Sequence, residues 1–122
     1  MFAAQHRLAV PKISVTLRKA FGFGSSIMAM NPFDGQTLSL AFPGVTLGAM
    51  PAGGGGAASK ADASTQAALD ARELEGPWKT ASSLGFDDVI DPRELRNALI
   101  RALRLAGTRG PLGPVARVGI LP

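Results

Sequence analysis

A glycine pair gives this chain its clearest opportunity for chemistry, in the stretch RKAFGFGSSIMAM over residues 18–30. Gly22 and Gly24 flank Phe23, two serines follow, and no histidine, cysteine or carboxylate lies within the stretch. Whatever it does must be done by its backbone. A strand, a bend and a helix start can aim successive N–H groups into one small space, because glycine adopts the angles this needs. The helix start adds positive potential. Such a nest holds a phosphate or an oxygen on which charge develops, such as an enolate or ureido oxygen. The dinucleotide fingerprint asks for a third glycine three residues after the second, and that position is Ile27. The P-loop pattern is absent as well. On pattern alone, a plain structural turn and an anion hole both stay open.

Other candidates fall away on closer reading. FDDVIDPRE could suggest paired carboxylates, but Asp91 and Glu94 have the spacing of a helix capping box. Asp87 and Asp88 point to opposite faces if extended, so they do not serve one site. The lone histidine, His6, has no carboxylate near it in sequence and is expected to be satisfied or solvent-facing. The absence of cysteine excludes a disulfide framework and a thiolate metal site. Trp78 is expected to anchor a core or an interface.

The elements that must position the bend follow from periodicity. KISVTLR alternates Ile13, Val15 and Leu17 against polar residues, the period of a strand with one buried face. A helix is expected after the bend from Ser25 or Ser26, then a turn at NPFDG. TLSLAF and GVTLGAM read as two further short strands. PAGGGGAASKADAS is expected to be a mobile loop, since successive glycines carry a large ordering entropy. STQAALDARELEG is helical with a stop at Gly76. PWKTASSLG is a short helix with Gly85 as its C-cap, and FDDVI is a short strand. In DPRELRNALIRALRLAG, Asp91 is the N-cap and Pro92 the first helical residue. Leu95, Leu99 and Leu103, with Ala98 and Ala102, form the apolar face of that helix. TRGPLGPVARVGILP reads as an extended tail. The chain thus divides into 1–50, a core segment with the glycine bend; 51–64, a Gly/Ala-rich loop; 65–107, a helical segment; and 108–122, the tail.

At 122 residues and 46% hydrophobic, this is one small folded unit. Its net charge of +4 is carried mostly by arginine, with six arginines against one acid from Arg93 onward. Such a skew can attract nucleic acid, anionic lipid or a phosphate-bearing ligand. No apolar run approaches the ~20 residues of a membrane span. The N-terminus has no long apolar stretch of a signal peptide, so a cytoplasmic location is expected.

Taken in order, VPKISVTLRKAFGFGSSIMAM, LSLAFPGVTLGAM and ASSLGFDDVIDPRELRNALIRAL resemble the C-terminal part of the carboxyltransferase (beta) subunit of biotin-dependent acyl-CoA carboxylases, of the acetyl- and propionyl-CoA carboxylase type. The resemblance covers roughly residues 5 to 105, with a gap in the middle. It implies an α/β fold, part of a crotonase-like (ClpP/crotonase) fold built from strand–strand–helix units, with a C-terminal helix. It also implies an oxyanion hole at the glycine bend for the ureido oxygen of biotin. The family's Tyr-Gly-rich bend falls on Phe21, Gly22, Phe23 and Gly24. By that correspondence the amides of Phe23 and Gly24 are the catalytic donors, and Gly22, Phe23 and Gly24 bind the cofactor. The implied cofactor is biotin, as carboxybiotin on a carrier protein, with acyl-CoA as the substrate.

The implied partners are a biotin carrier or biotin carboxylase subunit and another carboxyltransferase chain or a homo-oligomer, with no nucleic acid and no membrane. The family polypeptide is several times longer, so the chain is expected to be a truncated form, inactive without the acyl-CoA-binding half. Its proline and glycines after Met50 replace a helix start of the family. That departure supports the alternative of a non-catalytic remnant or subunit-interaction module. Nucleic-acid binding through the C-terminal arginines is a weaker third reading, since the aromatic interleaving of single-strand binders is missing.

Overall fold

The computed structural model describes residues 5, 8, 10–25, 28 and 36–107. His6, the NPFDG turn, most of the helix expected after Ser25 and the tail from residue 108 lie outside the described residues. Two alternating segments become β1 (Ile13–Thr16) and β3 (Leu38–Ala41), which pair in parallel from Ile13 opposite Leu38 to Thr16 opposite Ala41. β5 (Asp88–Val89) adds to the other side of β3, so the sheet order is β1-β3-β5.

A second parallel pair stands beside the first. β2 (Lys19–Phe21) runs along β4 (Thr46–Gly48), Ala20 opposite Leu47. Each of the first two units therefore reads strand, strand, helix. β1 and β2 lead to the one-turn helix α1 (Gly22–Ser25), and β3 and β4 lead to α2 (Ala52–Ser59). The core cluster sits where β3 and β4 meet the segment around β5, with Ala41, Val45 and Phe86 buried and Phe42, Leu47, Ala81 and Val89 packed against them.

The glycine run expected to be a loop is the helix α2. Its intrinsic propensity is poor, about 1 kcal/mol per glycine against alanine, and tertiary contacts override it. α2 packs along α3 (Ala63–Leu74), with Ala52 and Gly56 buried. A side chain at Gly56 would run into Gln66, so small residues are what let the helices approach. Lys60, in the left-handed region at φ 51°, closes the C-terminus by donating its N–H to the Ala57 carbonyl. A helix therefore does begin after Met50 despite the proline and glycines there.

Gly76 does end the next stretch, at φ 67°, leading into α4 (Trp78–Ser82). Gly85 is not the left-handed residue after α4; Leu84 is, at φ 61°. Gly85 is needed for space, since a Cβ there would lie 3.0 Å from the Thr80 carbonyl oxygen. Asp91 does cap the last helix, but through Arg93 and not Glu94: its carboxylate accepts from the Arg93 N–H at 2.8 Å and the guanidinium at 2.7 and 3.0 Å. A 3₁₀ turn (Pro92–Glu94) then leads into α5 (Leu95–Gly107). α5 buries Ala102 and Ala106, with Leu95, Ala98 and Leu99 half-buried. Leu103, expected on this face, is 56% exposed.

The two capping aspartates make stability pH-dependent. Asp62 accepts from the Thr65 N–H at 2.8 Å and the Ser64 hydroxyl at 3.0 Å, and these bonds, that to Thr65 foremost, hold its carboxyl below 3.8. The Arg93 side chain, then its amide, does the same for Asp91, and Asp91 in turn raises Arg93. A carboxyl lowered in the folded state stabilises above its unfolded pKa, and the contribution is lost as pH falls through the folded value. Far-UV circular dichroism is therefore expected to lose helical signal below about pH 4. Asp62→Asn and Asp91→Asn are expected to flatten that loss.

Candidate functional site

The glycine bend leaves the ladder where β2 stops. Phe21 pairs with Gly48, and nothing beyond it is in register. Gly22 then turns the chain at φ 64°, a region where a side chain is strained. A Cβ there would also lie 3.2 Å from the Ala49 carbonyl oxygen. Both facts require glycine. α1 follows at once, closed by the Ser25 hydroxyl donating to the Gly22 carbonyl at 2.7 Å.

Phe23 and Gly24 both lie within α1, the one-turn helix that follows the bend. Phe23 is 71% exposed, and no heavy atom comes within 4 Å of where a Cβ on Gly24 would stand. In front of Gly24 and Ser25 lies an open depression of about 610 Å³, lined by β1 and β2 with Arg18, Lys19 and Met28 at its rim. Arg18 and Lys19 are exposed, so the approach is electropositive. An exposed glycine turn beside an open depression with cationic surroundings has room for an anionic group and a ring next to it.

The other sequence candidates have structural occupations. The Asp87 carboxylate accepts from the Ser39 N–H at 2.7 Å, locking β3 to the residue before β5. Asp88 accepts from the Val89 N–H at 2.8 Å. Trp78 is not a core anchor: it is 59% exposed. Arg96, Arg101 and Arg104 are exposed along α5, away from the bend's depression.

Sequence reasoning missed the scaffold behind the bend. A second cavity, of about 250 Å³, is lined by Phe21 and Leu47 on one side and by Ala52, Leu69, Arg72 and Glu73 on the other. Glu73, on α3, accepts from the Ala52 N–H at 2.6 Å. The two partners are far apart in sequence, and no local pattern signals their meeting.

No family model matches the chain. It is 30% identical, over its whole length, to the methylmalonyl-CoA carboxyltransferase 12S subunit of Propionibacterium freudenreichii subsp. shermanii. It is 34% identical, over 89% of its length, to the methylmalonyl-CoA decarboxylase subunit alpha of Veillonella parvula. The chain spans 25% and 22% of the length of these relatives. Among solved structures it superposes, over 99% of its length at TM-score 0.80 and 28% identity, on 25% of the transcarboxylase 12S chain, crystallised as a hexamer assembly with methylmalonyl-coenzyme A and methylmalonic acid bound.

Proposed function

Since the chain belongs, as a fragment, to the acyl-CoA carboxyltransferase subunits and shares their crotonase-like α/β fold, we propose that it contributes the biotin-facing half of a carboxyl-transfer site. The reaction moves carboxylate from carboxybiotin to the α-carbon of an acyl-CoA. Carboxybiotin, when bound, supplies the transferable carboxylate.

Everything this chain adds is positioning and charge stabilisation. The N–H groups of Phe23 and Gly24 would hold the ureido oxygen, and fixed donors stabilise developing charge without reorganising. Gly22 sets their direction through its left-handed backbone. Gly24, with open space at its Cβ position, leaves room for the ring. The β2–β4 ladder ends one residue before the turn and gives it a rigid base. Arg18 and Lys19 draw an anionic group toward the depression. The observation that carries this reading is the open glycine turn past the end of the ladder, facing a depression large enough for a ring.

The partners belong to the same proposal: a biotin carrier, and a second carboxyltransferase chain or region that binds the acyl-CoA. The alternative of a non-catalytic remnant drew its support from an expected missing helix after Met50. With α2 formed there, that support is gone. The test is reconstitution. An equimolar mixture of this chain with the acyl-CoA-binding part of a relative, given acyl-CoA and a carboxylated biotin carrier, is expected to transfer carboxylate faster than either piece alone. No gain over the separate pieces overturns the proposal.

A further inference from the structure

The geometry points to Glu73 as a positioning residue for the glycine bend, an inference that rests on reading the bend as the oxygen-binding turn. α2 begins with Pro51 at its N-cap, and no side chain of its own first turn satisfies its amides. Residues 53–56 are all glycine, so the helix has little internal stability and depends on what holds its ends. Glu73 supplies the missing cap from α3, its carboxylate accepting from the Ala52 N–H at 2.6 Å. Ala52 is 7% exposed, and that buried end is where an unpaired amide costs most. The negative charge also sits at the positive end of the helix.

This cap lies directly behind the bend. The three residues before Ala52 join α2 to β4, and among them the Ala49 carbonyl backs Gly22 at the 3.2 Å limit of a Cβ there. Phe21, the last residue of β2, shares the cavity behind the turn with Glu73. Its ring packs on Gly48, 3.7 Å from where a Cβ on that glycine would be. The path therefore runs from Glu73 to the start of α2, through residues 49–51, to the wall against which Gly22 turns. Glu73 does not reach the reacting atoms. It fixes the wall that aims the amides of Phe23 and Gly24.

Residue-resolved amide hydrogen exchange and amide chemical shifts test this without any activity. Glu73→Ala is expected to speed exchange roughly tenfold, the scale of a lost cap, in both α2 and the β2–β4 ladder. It should also shift the Gly22–Ser25 amide resonances, while the β1–β3 ladder is unchanged. Adding Pro51→Ser, which supplies a side-chain cap from the helix's own N-cap position, is expected to restore both regions. Faster exchange in α2 with an unchanged β2–β4 ladder and bend overturns the proposal, as does a restored α2 beside an unrestored bend. Should Glu73→Ala release every segment at once, Glu73→Gln decides: it keeps an acceptor for Ala52 without the charge. α2 and the bend are then expected to change by the same factor, and a change in α2 alone overturns the coupling. In the reconstituted transfer assay, Glu73→Gln is expected to lower kcat with the acyl-CoA KM unmoved. Absence of turnover with the native chain counts against the carboxyltransferase reading and leaves the exchange result standing.

Discussion

Gly24→Pro is expected to lower the kcat of carboxyl transfer by about 100- to 1,000-fold in the reconstituted assembly, the loss measured for single oxyanion donors elsewhere. Gly24→Ala is expected to leave it nearly unchanged. The two substitutions differ in what they remove. Proline deletes the N–H outright, and a first helical turn tolerates it because that N–H has no helical partner. Alanine keeps the N–H and adds a methyl group where no heavy atom lies within 4 Å. Proline also narrows the backbone of Phe23, so the amide resonances of residues 22, 23 and 25 are compared in the two variants. Initial rates of transfer from a carboxylated biotin carrier make the measurement. The acyl-CoA KM should hold, since that substrate is bound by the other half in this reading. If both variants lose activity equally, the bend is a structural turn and its amides are bystanders.

What the sequence made legible was what local pattern encodes. β1 and β3 follow as strands from apolar residues at every second position, although Leu17, expected on the buried face, is 60% exposed and Thr16 is buried instead. Asp91 with Pro92 marks the start of the last helix. The bend itself was legible because glycine pairs advertise unusual backbone angles, and Gly22 has one. β2 was missed because it is three residues long and pairs in parallel with β4, a partnership without a turn signal between its strands. α2 was misread for a related reason. Its glycines argue against helix when read alone, but Gln66 and Glu73 on α3 set the terms, one by occupying the space beside Gly56 and the other by capping Ala52. Leu84, not Gly85, took the left-handed angle because Gly85 is needed where the chain crosses the Thr80 carbonyl. In each case a contact distant in sequence, or a demand for space, outweighed a local preference.

The same distinction between pattern and packing separates the two largest aromatic truncations. Phe86→Ala is expected to destabilise the chain by about 3–5 kcal/mol, and Trp78→Ala by less than about 1 kcal/mol, in urea unfolding followed by circular dichroism. Trp78 is the larger side chain and the one the sequence suggested as an anchor, yet it is 59% exposed and little apolar contact is lost with it. Phe86 is 3% exposed and shares a buried cluster with Ala41 and Val45, against which Phe42, Leu47, Ala81 and Val89 pack. Alanine and valine on two sides cannot collapse far enough to fill the space its ring leaves, so the cavity term adds to the transfer term. The loss also reaches the bend. Leu47 packs against that cluster and stands opposite Ala20 in the β2–β4 ladder, so a weakened cluster is expected to loosen the strand pair from which Gly22 departs. In the reconstituted assay Phe86→Ala should therefore lose transfer activity at urea concentrations that leave Trp78→Ala unaffected. Equal unfolding midpoints for the two variants would place the principal core elsewhere than around Ala41, Val45 and Phe86.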